Sequence, residues 1–279
     1  MKVLNTLEDW LSARDQLRGT LGFVPTMGAL HPGHLSLVRR AMVENDRVAV
    51  SIFVNPTQFG PGEDFKRYPR PLQADLHQLA VRAPADVVFV PRVEDIYPPG
   101  FASRVRVEGM GDVLEGASRP GHFEGVATVV ARLFTLVRPD RAYFGQKDGQ
   151  QVAVIRRMAA DLFPQVEIVT CPTLREKDGL AMSSRNQYLK PDELHAAPVL
   201  FRALELARTA FASGQREAQV LRQRMQHVVE AEPLARLDYV SVADPDTLAE
   251  LDVVEGRAMA SLAVRLGTTR LIDNILLED

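Results

Sequence analysis

Two histidines three residues apart, His31 and His34, sit in the string PTMGALHPGHLSLV at residues 25–38. A glycine-bearing turn that leaves a buried strand and enters a helix presents unpaired backbone N–H groups and the positive end of the helix dipole. That setting suits phosphate oxygens. Both imidazoles fall at the helix start and can project toward one phosphate cluster, with Gly28 and Gly33 shaping the turn. Alone, an H-x-x-H pair would more readily cap the turn or bind a metal. The apolar run before it and the helical pattern after it favour the phosphate site.

Three further strings carry polar groups beyond strand ends. In SIFVNPTQF (51–59) a buried strand ends at Asn55, Pro56 stops pairing, and Gln58 lies at the lip of the sheet. Its neutral amide both donates and accepts, toward a substrate hydroxyl or carboxylate; a lone turn glutamine is ordinarily just solvated. In YFGQKDGQQ (143–151), Lys147 offers a cation to phosphate and Asp148 an acceptor to ribose hydroxyls, while Asp148 and Gln151 share a face at a helix start. The plainer reading of Lys147 and Asp148 is a surface ion pair of little worth. In KDGLAMSSRNQYL (177–189), Ser183, Ser184 and Arg185 can grip β- and γ-phosphates, the guanidinium neutralising a leaving pyrophosphate. SSRN is as readily a helix cap. At a hinge it reads as a mobile lid.

These strings need a scaffold that brings strand ends together. Helical spacing appears at 7–17, then an apolar run at 21–25, then a helix with Leu35, Leu37, Val38, Ala41 and Met42 inward and Arg39, Arg40 and Glu44 outward. VAVSIFV within 47–54 is a strand buried on both faces. The alternation continues through a helix at 72–82, a strand at 86–90, a helix at 125–136, a strand at 141–144, a helix at 150–160 and a strand at 166–171. It predicts an α/β fold, a Rossmann-like doubly wound parallel sheet that binds ligands beyond the carboxyl ends of its strands. From about 174 the pattern becomes a long helical region at 192–230 and strands at 237–242 and 258–264, a smaller C-terminal α+β domain. The expected domains are 1–173 and 174–279, with SRVRV (103–107) as an extra alternating strand pairing at a subunit interface.

At 279 residues, 46% apolar and 25% charged, the chain can bury a large core, and disordered and fibrous classes are excluded. A net charge of −3 and a pI near 6.1 give no electrostatic claim on nucleic acid or anionic membrane, so anionic substrates must be met by local basic groups. Cys171 is the only cysteine, which rules out an intrachain disulfide and reads as a structural thiol at a strand end. Residues 1–11 hold two acids and no long apolar run, neither a signal peptide nor a membrane span, and the expected location is cytoplasmic.

H-x-G-H in this context resembles the nucleotidylyltransferase superfamily, whose members attack a nucleotide α-phosphate and release pyrophosphate. Taken with EDFKRYPR (63–70), LEGASRPGHFEGV (114–126), FGQKD-x-QQ, DGLAMSSRN and TRLIDN (269–274), the chain resembles the pantothenate synthetase family over nearly its whole length. The resemblance implies a ligase in which pantoate attacks ATP to give pantoyl adenylate, and β-alanine then displaces AMP. It implies an ATP-binding set of Met27, Gly28, Ala29, Leu30, His31, Pro32, Gly33, His34, Gly145, Gln146, Lys147, Asp148, Leu174, Met182, Ser183, Ser184 and Arg185. His34 matches the family's proton donor, with His31, Lys147 and Arg185 beside it in catalysis; Gln58 and Gln151 match substrate-binding glutamines. Mg²⁺ is implied with ATP, held by phosphates and water and not by a protein cage. A homodimer is also implied, with RPGHF and SRVRV as candidate contacts.

Two positions depart from the family pattern. Gln146 stands where Glu is common, altering local charge, and Gly149 replaces a bulky residue, loosening a helix start. Two other readings stay open. A nucleotidylyltransferase that leaves its product adenylated has no evident use for Gln58 and Gln151, and a silent nucleotide-binding protein has none for the intact set of His31, His34, Lys147, Ser183, Ser184 and Arg185.

Overall fold

The computed structural model describes residues 1–278. The chain forms two compact units, Met1–Gly145 with Val154–Cys171, and Gln146–Ala153 with Pro172–Asp279. Strands and helices alternate through β1 (Lys2–Leu4), α1 (Leu7–Gln16), β2 (Leu21–Thr26), α2 (Pro32–Glu44), β3 (Arg47–Ile52), α3 (Leu72–Arg82), β4 (Val87–Phe89), the short α4 (Val93–Ile96) and α5 (Glu115–Ser118), α6 (His122–Val137), β5 (Arg141–Gly145), α7 (Gly149–Leu162) and β6 (Glu167–Cys171).

The six strands of the first unit lie in the order β1-β4-β3-β2-β5-β6, every pair parallel. This is the Rossmann-like sheet expected. Strand order turns around between β2 and β5, so their carboxyl ends flank the switch point where such sheets open a crevice. Phe23, Val24, Ala49 and Val50 have no exposed surface, as parallel strands covered on both faces require. Leu35, Leu37, Val38 and Ala41 of α2 pack into the same core as Val24, Val50, Val88 and Tyr143. Helix α6 begins at His122, before the expected 125, because Gly121 at φ 81 turns the chain into it.

Residues 103–107 lie outside both sheets. They alternate exposed Arg104 and Arg106 with half-buried Val105 and Val107, but among the described residues no strand pairs with them. The Val105 N–H goes instead to Thr128 Oγ1 at 2.9 Å. The pairing expected for this segment is with the backbone of a second subunit.

The second unit contains α8 (Pro191–Ala196), α9 (Val199–Ala212), α10 (Ala218–Glu230), β7 (Ala235–Ala243), β8 (Ala258–Leu266) and β9 (Thr269–Leu277). The strands form an antiparallel sheet in the order β7-β8-β9. Helix α9 packs on β8 and β9, and α10 on β7, around Leu200, Leu204, Phe211, Leu221, Met225, Leu262 and Val264. The single helical region expected at 192–230 is three helices. Pro198 stands at the start of α9, and Gly214 at φ 94 follows its end, the left-handed position that terminates a helix.

Candidate functional site

Strand β2 delivers residues 27–31 directly to the switch point. The turn has two consecutive left-handed residues, Gly28 at φ 78 and Ala29 at φ 50. A non-glycine residue is strained there, and something must hold it. Asp75, in the first turn of α3 and 2% exposed, does so: its carboxylate accepts the Ala29 N–H at 2.9 Å and the Leu30 N–H at 2.7 Å. Burial raises the Asp75 pKa, and these two N–H groups oppose that rise. Gly28 is needed for space as well as for φ, since a Cβ there would stand 2.9 Å from Asp75 Oδ2.

The expectation of unpaired amides in this turn is therefore corrected. The Gly28 N–H donates to Thr26 Oγ1 at 3.2 Å, Ala29 and Leu30 are held by Asp75, and the His31 N–H donates to His34 Nδ1 at 3.3 Å. What the loop offers a phosphate is then its imidazoles and the start of α2, with Pro32 in the first helical turn. The His31 and His34 rings lie 4.0 Å apart by centroid. Because His34 Nδ1 accepts, the neutral ring carries its proton on Nε2, the atom that can donate to a phosphate oxygen.

Gln58 is not a solvated lip residue. It is 8% exposed, in a 3₁₀ turn Pro56–Gln58 that Asn55 caps through its side chain. Asn55 donates from Nδ2 to Gln58 Oε1 and to Gly125 O, both at 3.1 Å, and its Oδ1 accepts from Thr57 N–H at 3.2 Å and Tyr97 OH at 2.8 Å. These bonds fix both amides. Gln58 presents Nε2, whose partner is the Met27 sulfur at 3.2 Å, a weak acceptor that a substrate oxygen can outcompete. Asn55 takes one of the two lone-pair sites on Gln58 Oε1, so the amide keeps its capacity to donate from Nε2 and to accept once more.

The Gln58 carbonyl is anchored too. His122 Nδ1 lies 2.8 Å from it, Arg119 Nη1 lies 3.0 Å from His122 Nε2, and Arg119 holds Glu63 through two 2.7 Å bonds. Burial, then the Arg119 charge, pushes the His122 pKa down to about 4, so the ring is neutral. Burial, the largest single influence on Glu63, pushes its pKa up, and the Arg119 hydrogen bonds and charge, with the Gly60 backbone contact, together leave that carboxyl below its usual value.

In the second unit, Gln146–Asp148 forms a 3₁₀ turn that runs into α7, with Gln151 half-buried in the first helical turn. The plainer reading of Lys147 is present as geometry, with Nζ 3.3 Å from Asp148 Oδ1. Gly145, ending β5 in the first unit, has open space where a side chain would project. Residues 174–182 fold back on themselves: Leu174 O accepts the Met182 N–H at 3.0 Å, and Arg175 bridges Ala181. Leu174 is thereby joined to the start of the serine segment. Ser183 caps the 3₁₀ helix Ser184–Tyr188, accepting the Arg185 N–H at 3.2 Å, and Ser184 and Arg185 stay half-buried. Cys171 is buried with its thiol pKa raised by desolvation, as a structural cysteine should be.

A family model described as pantoate-beta-alanine ligase matches residues 1–276. The chain belongs to the pantoate–β-alanine ligase family. The pantothenate synthetase of Roseiflexus sp. (strain RS-1) is 60% identical over 278 residues, covering 100% of both chains. Among solved structures, the pantothenate synthetase from Thermus thermophilus aligns over 100% of both chains with a TM-score of 0.95 at 49% identity. The Francisella tularensis pantoate-beta-alanine ligase, complexed with beta-gamma ATP and beta-alanine, aligns over 99% of this chain and 97% of its own at a TM-score of 0.80 and 38% identity. Gln146 and Gly149, the two positions expected to depart from the family pattern, each have a defined structural setting. Gln146 donates from Nε2 to Asn274 Oδ1 at 2.8 Å, and a Cβ on Gly149 would stand 2.6 Å from Met259 Sδ. Gly149 is a close-approach glycine, not a loosened helix start.

Residues with no assigned role in the sequence reading do much of the positioning. Asn55, Arg119, His122 and Asn274 lay inside quoted strings, where a motif marks importance but not partners. Asp75 lay in none. Its one local signal was an acid in the first turn of α3, which reads as an ordinary dipole complement.

Proposed function

We propose that this chain condenses pantoate with β-alanine at the expense of ATP. A pantoate carboxylate oxygen attacks the α-phosphorus as the bond to pyrophosphate breaks; the amine of β-alanine then attacks the acyl carbon, the bond to AMP breaks, and the amine gives up a proton. Family membership supports the reaction. The observation that carries it is the fixed Gln58 carboxamide, its donor turned toward Met27 at the strand-β2 exit that also bears His31 and His34.

In this reading Gln58 donates to pantoate, and Gln151 serves the substrates from the start of α7. His31 and His34 hydrogen-bond the phosphates. His34 Nε2–H stabilises charge on the phosphate oxygens, since pyrophosphate leaves adequately once neutralised. Met27–His34 with Gly145–Asp148 receive the nucleotide, Leu174 the adenine, and Met182–Arg185 the β- and γ-phosphates. Lys147 and Arg185 neutralise charge as two anions are joined. Positioning and electrostatics supply the acceleration.

Mg²⁺ accompanies ATP in this reading and offsets its charge. In this reading the polyphosphate and water would hold the ion. The need for ATP argues for a cytoplasmic location, and residues 103–107 with the RPGHF segment are the surfaces offered for a homodimer. Omitting each substrate in turn tests the reaction. AMP and pyrophosphate formation that requires both pantoate and ATP, with amide formation requiring β-alanine, supports it; a stable adenylated product in the presence of β-alanine sinks it.

A further inference from the structure

Strand β9 places two adjacent polar residues where a core strand should carry none. Asp273 is 3% exposed and Asn274 5%. Successive residues of a strand face opposite ways. Asp273 shares its face with Leu271 and Leu277, which join the core under α9; Asn274 faces the other way. Burying an amide and a carboxylate side by side is costly unless every polar atom is used.

The partners account for both. Asn274 Nδ2 donates to the backbone carbonyls of Gln146 and Lys147, each at 2.9 Å, and its Oδ1 accepts Gln146 Nε2 at 2.8 Å. That bonding allows only one orientation of the amide. On the opposite face, Asp273 takes Arg175 in a two-point ion pair with contacts of 2.5 and 3.0 Å. Its Oδ1 also accepts the Asn274 N–H at 2.8 Å, so each residue orients the other. The Arg175 guanidinium lies 4.1 Å above the Phe201 ring of α9 and donates to Gly179 O at 3.1 Å. One residue step of β9 thus grips the 146–148 turn on one side and the 174–182 fold-back on the other.

The geometry points to Asn274 as a positioning residue for nucleotide binding, acting through the Gln146–Lys147 backbone to set the Lys147 and Asp148 side chains, with Asp273 holding it in register. Gly149 belongs to the same device, since a Cβ there would come within 2.9 Å of Asn274 Oδ1. The inference rests on the nucleotide role proposed for residues 145–148. It goes further in assigning their geometry to a residue 128 positions away in sequence.

Asn274→Asp keeps the shape but turns carboxylate oxygen against two carbonyls. Gln146→Met is milder, removing the donor to Oδ1 without adding charge. The test measures binding of β,γ-methylene ATP by calorimetry for the full-length protein and both variants, with KM for ATP and for pantoate and a thermal melt as the check on folding. Asn274→Asp should weaken analogue binding and raise the ATP KM by roughly tenfold, with the pantoate KM within about twofold of the parent. Gln146→Met should move the same quantities in the same direction by roughly threefold, and it decides the matter if Asn274→Asp does not fold. Unchanged analogue affinity in a folded variant, or equal rises in both KM values, overturns the inference. If the parent binds the analogue but makes no AMP from pantoate, the proposed reaction falls while Asn274 is still judged by the binding ratio.

Discussion

His122 offers a test in which sign and size both follow from geometry. Its Nδ1 must donate to the Gln58 carbonyl and its Nε2 must accept from Arg119, so the folded state requires the neutral ring. Burial and Arg119 lower its pKa from 6.5 to about 4. In the unfolded chain the same histidine takes up its proton near 6.5. The stability it confers is therefore complete above 6.5 and is lost as pH falls toward 4. Between about pH 7 and about pH 5 the loss from this one residue is about 2 kcal/mol, an upper figure because the side chain keeps some contact with solvent. Other groups also titrate in that range, so the comparison is with His122→Asn, which keeps an N–H for the Gln58 carbonyl but cannot titrate. Urea unfolding of both proteins at the two pH values should show the parent losing about 2 kcal/mol more than the variant. Equal losses would refute the buried neutral ring and the relay built on it.

Other outcomes follow from the same contacts. Asp75→Asn leaves one of the two amides at Ala29 and Leu30 facing a donor, and should raise the ATP requirement roughly tenfold in a pyrophosphate-release assay; a normal ATP requirement would show that the turn holds itself. Gln58→Glu keeps the acceptor that Asn55 needs and deletes the donor, so the pantoate KM should rise by roughly tenfold or more while the ATP KM stays nearly constant; equal rises would count against Gln58 as the pantoate donor. Gly125→Ala would set a Cβ 2.4 Å from Thr57 O and 2.8 Å from Gln58 Cα, so the thermal midpoint and pantoate affinity should fall together. Asp273→Ala strands a largely buried guanidinium and should cost about 3–5 kcal/mol in denaturant unfolding; a loss under about 1 kcal/mol would mean that Arg175 finds another partner.

The parallel sheet was legible because buried strands and amphipathic helices leave periodic traces in the chain. Phe23 and Val24, Ala49 and Val50, and the inward face of α2 are local patterns with one structural solution. The chemistry-bearing strings followed strand ends for the same reason. What escaped depends on contacts without a local trace. Asp75 reaches Ala29 across 46 positions, and a side chain bonded to backbone selects no particular residue type in its partner. Strand β9 was hidden because Asp273 and Asn274 interrupt the apolar alternation that would have marked it. Residues 103–107 show strand alternation, but within this chain the Val105 N–H is taken by Thr128 Oγ1, a contact 23 positions away that leaves no local trace. The breaks at Pro198 and Gly214 were readable, and the helical composition around them obscured the two stop signals.

The central claim is that pantoate is activated as an acyl adenylate, and the path of one oxygen atom tests it most directly. Pantoate labelled with ¹⁸O in its carboxylate should be turned over with ATP and β-alanine and the products analysed by mass spectrometry. The proposed sequence transfers one labelled oxygen to AMP and none to pyrophosphate. Unlabelled AMP, or label appearing in a phosphate other than AMP, would contradict attack at the α-phosphorus and with it the proposed reaction.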